Sequence, residues 1–399
     1  MNSANTPVVV VGASVAGMRV AQALRSRGYD RPVVLIDREN GTPYDKPALS
    51  KAVLTSPETN PPALLDEVGL RALDVDLRAG TTVTGLDPTA RHLVTSDGER
   101  IAFGPLVIAT GSAPRRARPL DRFGGVHYLR TWAEAEAIRS AFASRPRVVV
   151  VGGGFIGGEV ASSARQLGLD VTIVEAGPRL LGRLMPSEVA KQVAQMHGEH
   201  SVRVVCGRSV VGGYGTTEIE ALELDDGTRL PADLVIVGIG TTPVTTWLED
   251  AGLSTTEGVR CDSELAVHGL RSAWAVGDVA AWTDAATGRV RRTEHWTTAR
   301  EQASYAANAI VDPAPQRPFR TTGYVWSDQH GVRIQHVGEA DATTTTRSQP
   351  AGGDERGWLF VHHRGDDVVG ATAFNAPREL LEIRRRLADT RNEAQEVAQ

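Results

Sequence analysis

Three observations predict an α/β fold made of two Rossmann-like dinucleotide-binding domains and a small C-terminal α+β domain. Residues 8–17 (VVVVGASVAG) and 148–157 (VVVVGGGFIG) are two runs of four valines that enter a glycine turn. Each leads through a helical stretch to a short apolar strand that ends on an acid, VVLID at 33–37 and VTIVE at 171–175. Each half then passes through a hairpin to another apolar strand and glycine turn, LVIATG at 106–111 and LVIVGIG at 234–240, so the chain reads as an internal duplication.

The elements follow in order. Strand 8–11, a helix from about Gly17 to Arg27 and strand 33–37 make a βαβ unit. Prolines at 43, 47, 57, 61 and 62 restrict the next stretch to a loop with short helical turns. A β-rich stretch follows, with a hairpin at SDGE (96–99). The second half repeats the order: strand 147–151, helix from Phe155 to about Gly168, strand 171–175, helix 187–199 and strand 202–205. In WAVGDVAAW (274–282), Asp278 reads as following a strand and preceding a helix; a further helix runs from about Thr297 to Asn308. Strands near 332–338, 341–347, 358–364 and 367–374 and the basic helix PRELLEIRRRLAD complete the chain.

Composition narrows the function. A chain of 399 residues exceeds one ordinary core. Hydrophobic and charged contents of 41% and 23% are globular values. A net charge of −5 favours no nucleic-acid partner, and no apolar run has bilayer length. MNSANTP lacks a basic n-region, so a cytoplasmic protein is expected. The two cysteines, Cys206 and Cys261, form no C-x-x-C pair. That argues against a disulfide framework, a cysteine-based metal site (none is expected) and a redox-active dithiol.

In the first turn, Gly12 allows the tight bend and Gly17 allows close helix packing. Ser14 replaces the middle glycine of G-x-G-x-x-G; it is small, and its hydroxyl could hydrogen-bond a phosphate. The helix N-terminus supplies free N–H groups. Asp37, with Glu39 as a second candidate, stands where an acid binds ribose hydroxyls. A plain βα turn without ligand is the alternative. The second turn has the full fingerprint, Gly152, Gly154 and Gly157, followed by Glu175. A carboxylate there accepts from an adenosine 2′-OH and repels a 2′-phosphate, which points to NADH over NADPH; Arg179 and Arg183 are the reservation. Asp278 either bonds a polyol chain or caps a helix.

Taken in order, VVVVGASVAG, PYDKPALSK, LVIATGSAP, GVHYLRT, VVVVGGGFIGGEVA, VTIVEAGPRL, LPADLVIVGIG, AVGDVA, EHWTTAREQ and YVWSDQHGVRIQHVG resemble the NADH-dependent ferredoxin reductases of bacterial oxygenase systems, within the glutathione-reductase-like FAD/NAD superfamily. The resemblance spans roughly residues 7–387. It implies an FAD-binding domain in two segments, 1–111 and 243–312, an NADH-binding domain at 112–242 and a C-terminal domain at 313–399. It implies FAD contacts from Gly12, Ser14, Gly17, Asp37, Glu39, Lys46, Lys51, Val83, Ala109, Arg130, Asp278 and Trp296. It implies NADH contacts from Gly152, Gly154, Phe155, Ile156, Glu159, Glu175, Arg183 and Gly240. Lys51 and Glu159 would pair by the flavin N5, and Tyr324 would order the nicotinamide.

The resemblance further implies hydride transfer from NADH and single-electron delivery to a [2Fe–2S] ferredoxin that feeds a P450 or Rieske-type oxygenase, by a monomer or homodimer. An acidic ferredoxin calls for a basic face. Arg289, Arg291 and Arg292 are candidates, and so is the run Arg384, Arg385 and Arg386, which also reads as solvated helix decoration. The chain departs from the family at Lys46 (usually Arg), Ala48 and Gly323 (usually Pro), Val325 (usually Phe) and TTPV at 241–244. These leave three alternatives open: direct reduction of a small molecule or quinone, an NADH oxidase, and an NADH-responsive redox sensor.

Overall fold

The computed structural model describes residues 6–56, 60–182, 185–314, 316–340, 343–353 and 357–396. They form two compact units: residues 1–46, 60–113 and 241–321, and residues 47–59, 114–240 and 322–399.

Unit one is built on a five-stranded parallel sheet in the order Ala273–Ala275, Leu106–Ile108, Val8–Val11, Val33–Asp37, Asp76–Ala79. Both faces are covered, which explains why its central strands are continuously apolar rather than alternating. Val9, Val11, Ile36, Leu106 and Ile108 face one cluster, while Val8, Val10, Leu35 and Val107 face another. The second cluster receives the helix Val15–Ser26 and the alanine-rich face (Ala299, Ala303, Ala306, Ala307) of the helix Trp296–Val311. Alanines let these two helices approach closely. Two three-stranded sheets complete the unit: Val83–Asp87 with His92–Thr95 and Arg100–Ala102, and Val259–Cys261 with Ala280–Thr283 and Val290–Arg291.

Unit two repeats the plan. Its parallel sheet runs Arg203–Cys206, Val171–Glu175, Val148–Val151, Leu234–Val237, Val126–Tyr128. The helices Phe155–Gln166 and Ser187–Glu199 connect its strands. A three-stranded antiparallel sheet packs Leu222, Leu224 and Leu230 against Val149, Val151 and Val235. The C-terminal part is a five-stranded antiparallel sheet whose inner face buries Val337, Leu359, Ala371 and Ala373 under Leu380, Ile383 and Leu387 of the helix Pro377–Glu396.

Three local expectations are corrected. YVWSDQ contributes an additional edge strand, Val325–Gln329, paired antiparallel with Val332–Gly338. The strand expected at 341–347 is Thr345–Pro350; its register against Trp358–Arg364 fixes its bounds, which a run of threonines without alternation does not reveal. Residues 341–342 lie outside the described residues. Asp278 precedes no helix: it sits in the 3-10 turn Gly277–Val279, which continues into strand Ala280–Thr283, and the next helix starts at Trp296.

Candidate functional site

The two glycine turns are near-copies in space. Gly12 and Gly152 have φ of +103° and +110°, and an added Cβ would lie 2.2 Å from Ala109 O and from Gly238 O respectively. Both positions therefore require glycine. A Cβ on Gly17 would lie 1.8 Å from Gly12 O, and one on Gly157 2.2 Å from Gly152 O. The helix packs onto its own turn, as the third glycine of the fingerprint demands.

The middle position differs. Ser14 (φ −74°, ψ −163°) and Gly154 (φ −80°, ψ −176°) are ordinary extended backbone, and a Cβ on Gly154 meets no protein atom within 4 Å. Only space beside the turn is needed there, and serine leaves it.

Each acid closes its own turn. Asp37 accepts from Ala13 N at 2.6 Å and from Glu39 N at 2.9 Å. Glu175 accepts from Gly153 N and Gly177 N, both at 2.7 Å. Glu39 is bound to Lys46 Nζ at 2.5 Å and accepts the Tyr44 hydroxyl. Lys46 also lies 4.6 Å from the Tyr44 ring centroid, so its single ammonium replaces the fork of an arginine. A small cavity lined by Ala13, Ser14, Asp37, Glu39, Tyr44 and Lys46 borders the first turn.

Elsewhere in unit one, Asp278 accepts from the Ser112 hydroxyl at 2.8 Å, and Trp296 Nε1 donates to Asp45 at 2.8 Å. The helix that follows Asp278 is capped by His295, so the capping reading of Asp278 fails. The Val83 side chain is in the core, leaving its backbone for any ligand.

In unit two, Lys51 Nζ lies 2.7 Å from Glu159, with side-chain exposures of 21% and 6%. Ser50 and Ser327 also donate to this carboxylate, at 2.5 and 2.6 Å, so the buried charge is fully hydrogen-bonded. Ile156 is 44% exposed at the start of its helix, an apolar surface beside the second turn. Gly240, with φ +101°, ends the strand-to-turn segment at 234–240, and its carbonyl accepts from Arg115 N. Arg130 immediately precedes the capping box formed by Thr131 and Glu134. Arg183 lies outside the described residues. Tyr324 receives a hydrogen bond from Gln335 at 2.7 Å, stacks at 6.1 Å on Trp326 and lies under Arg384 at 5.0 Å. Gly323 before it has φ +67°, a conformation closed to proline.

The arginines expected on a basic face have partners of their own in part. Arg291 is bound to Asp284 at 2.7 Å, and Arg292 to Glu294 at 2.8 Å and to Asp278 O at 3.1 Å. Arg384 leans on Tyr324, leaving Arg385 and Arg386 exposed. Sequence reasoning missed a groove of about 590 Å³ in unit one, lined by Arg19, Arg300, Arg317 and Arg320 around Trp296 and Phe319. Burial and the nearby Arg19 charge push Arg300 below its ordinary pKa. The guanidinium of Arg300 also sits over Trp296 at 4.7 Å. No sequence run announces this groove, because its arginines come from separate segments.

The residues fit the two nucleotides that the turns suggest. Helix N-termini without an acid in the first turn face each turn, and each turn is closed by its own carboxylate. The family model "Pyridine nucleotide-disulphide oxidoreductase" matches residues 6–303, and "Reductase C-terminal" matches 324–399. The chain belongs to the pyridine nucleotide-disulphide oxidoreductases and, like them, uses FAD and NAD(H).

It is 36% identical over 391 residues to the anthranilate 1,2-dioxygenase system ferredoxin–NAD(+) reductase component of Burkholderia cepacia, covering 96% of this chain and 94% of that protein. It is 35% identical over 390 residues to the biphenyl dioxygenase system ferredoxin–NAD(+) reductase component of Paraburkholderia xenovorans, covering 96% and 93%. The solved covalent complex of putidaredoxin reductase with putidaredoxin superposes with a TM-score of 0.88 at 31% identity, covering 97% and 94%.

Proposed function

We propose that this chain is an NADH-dependent ferredoxin reductase, with FAD held at the Gly12 turn and NADH at the Gly152 turn, that serves a [2Fe–2S] ferredoxin of an oxygenase system. The observation that carries this reading is the Lys51–Glu159 pair, in a chain whose two cysteines, Cys206 and Cys261, form no C-x-x-C pair. Cys206 is partly buried, and Cys261 lies in the unit-one core, where burial pushes its thiol up to about 12. Neither suits disulfide chemistry, so electrons leave without a cysteine relay.

Bound at the Gly12 turn, FAD would supply hydride acceptance and one-electron release. The protein's part is positioning. Asp37 and Glu175 hold their turns open for a pyrophosphate and offer carboxylate edges to ribose hydroxyls. Glu175 sets the preference for NADH. Lys51 and Glu159 serve the flavin as a charged pair, fixed by Ser50 and Ser327. Tyr324, held by Gln335, orders the nicotinamide. The arginine groove at Trp296 receives the acidic ferredoxin, which explains how a chain of net charge −5 attracts an anionic partner.

The test is cytochrome c reduction by NADH with and without an added [2Fe–2S] ferredoxin. A rate that depends on the ferredoxin supports the reading. An equal rate without it, with quinone reduced directly, overturns it in favour of small-molecule reduction.

A further inference from the structure

Unit two contains a buried polar chain that begins at Glu159. Ser327 and Gln329 point to one side of the strand Val325–Gln329 and are 0% and 1% exposed. Ser327 Oγ lies 2.6 Å from Glu159 Oε1, and Gln329 Nε2 lies 2.9 Å from Ser327 Oγ. Gln329 Oε1 lies 3.0 Å from Nε2 of His197, a fully buried residue of the helix Ser187–Glu199. His197 Nδ1 lies 3.0 Å from His330 Nε2, and the His330 ring stacks on His200 with centroids 4.2 Å apart at 18°.

The charge at one end dictates every direction. A carboxylate only accepts, so Ser327 donates to Glu159. Its hydroxyl proton is then spent, so Ser327 accepts from the Gln329 N–H. The Gln329 oxygen is left to accept, which places the His197 proton on Nε2. The bare His197 Nδ1 accepts in turn from His330 Nε2–H. All four protons point toward Glu159. The chain requires two neutral imidazoles. Burial pushes His197 down to about 4 and, as the largest cause, pushes His330 to about 3.

The backbone is shaped around this chain. His330 and Gly331, with φ of 52° and 74°, form the two-residue turn between the paired Gln329 and Val332. That is the geometry of a type I′ turn, where Asn, Asp or Gly is favoured first. Histidine is, with Asn and Asp, one of the residues that adopts positive φ most readily, and the turn sets its ring against His197 and His200. A Cβ on Gly158 would lie 2.6 Å from Gln329 Oε1. This glycine falls outside the fingerprint, and its missing side chain is the space that the Gln329 amide fills.

We propose that Ser327, Gln329, His197 and His330 are positioning residues that hold Glu159 as an oriented carboxylate, and that the tautomers of the two imidazoles follow its charge. A row of aligned donors stabilises an anion more than its nearest hydrogen bond does alone. The network thus fixes the carboxylate that pairs with Lys51, and it ties that orientation to His330 at the hairpin turn. The proposal rests on the electron-transfer reading only for the statement that Glu159 serves the flavin.

The test is nitrogen NMR of the holoenzyme carrying labelled histidine. In the wild type, His197 and His330 are each expected as one neutral species protonated on Nε2 from about pH 6 to about pH 8. In Glu159→Gln both should become tautomer mixtures, while His362, in the C-terminal sheet, stays unchanged. Gly158→Ala, which displaces the Gln329 amide without removing a charge, should give the same loss of a single tautomer at His197. Spectra of Glu159→Gln and Gly158→Ala that match the wild type at His197 and His330 overturn the proposal. Tautomers that follow Glu159 in a holoenzyme unable to reduce a ferredoxin would leave the proposal standing and remove the electron-transfer reading alone. Ferredoxin reduction with tautomers indifferent to Glu159 would do the reverse.

Discussion

Asp37 accepts the backbone N–H of Ala13 at 2.6 Å, so the acid that ends the second strand also closes the first glycine turn. The contact fixes where the turn's remaining amides point. Asp37→Ala is expected to weaken FAD retention about tenfold or more, the loss of a charge-assisted hydrogen bond worth about 1.5–3 kcal/mol. Ser14→Gly should retain FAD, since position 14 is extended backbone that any residue adopts. Flavin absorbance after extensive dialysis reads both. A colourless Ser14→Gly variant would show that the hydroxyl itself holds the phosphate.

Glu175 does the same for the second turn while facing the adenosine ribose. Glu175→Ala removes the repulsion of a 2′-phosphate and also loosens the amides of Gly153 and Gly177. KM for NADH should rise and KM for NADPH fall, shifting the preference by about tenfold. A preference that does not move would place cofactor choice on other residues.

Lys51 and Glu159 should be unequal under mutation. Lys51→Ala leaves an anion that is 6% exposed with only hydroxyl donors, a loss of about 3 kcal/mol. Glu159→Gln leaves an ammonium with more access to water and a neutral amide that still fits, so it should cost less. Denaturant midpoints compare the two, and equal losses would contradict the burial argument.

The arginine groove makes a prediction about the partner alone. Arg317→Glu with Arg320→Glu should raise the apparent KM for a [2Fe–2S] ferredoxin about tenfold, more at low salt, with NADH–ferricyanide turnover unchanged. Unchanged ferredoxin kinetics would remove this face from docking.

Stability should depend on pH through buried histidines. Burial pushes His197 and His362 down to about 4. Such groups bind fewer protons folded than unfolded between about pH 4 and their ordinary value of about 6.5, so stability rises with pH across that window. The contribution is full above about pH 6.5 and is lost as pH falls toward 4. Tm should fall between about pH 7 and about pH 5, and His362→Gln should flatten the slope. A Tm that rises on acidification would refute this account.

Much of the fold was legible because its signals are local. Four valines before Gly12 and before Gly152, with acids closing VVLID and VTIVE, state a βαβ unit without reference to anything distant. The strand Val325–Gln329 was not legible, because only its register with Val332–Gly338 makes YVWSDQ a strand. Asp278 reads as a pre-helical acid until the 3-10 turn Gly277–Val279 is seen to run into a strand. That Asp284 and Glu294 stand beside Arg291 and Arg292 is likewise seen only in the structure.

By itself the sequence determined the two glycine turns, their acids and the lack of a C-x-x-C pair. These depend on backbone conformations and residue types that neighbours in the chain dictate. Only the tertiary structure decided that Ser50 and Ser327 join the Lys51–Glu159 pair that the resemblance implied, that arginines at 19, 300, 317 and 320 share a groove, and that Gly158 makes room for Gln329. Such contacts join residues far apart in the chain. Their energies depend on burial and distance, which no local pattern encodes.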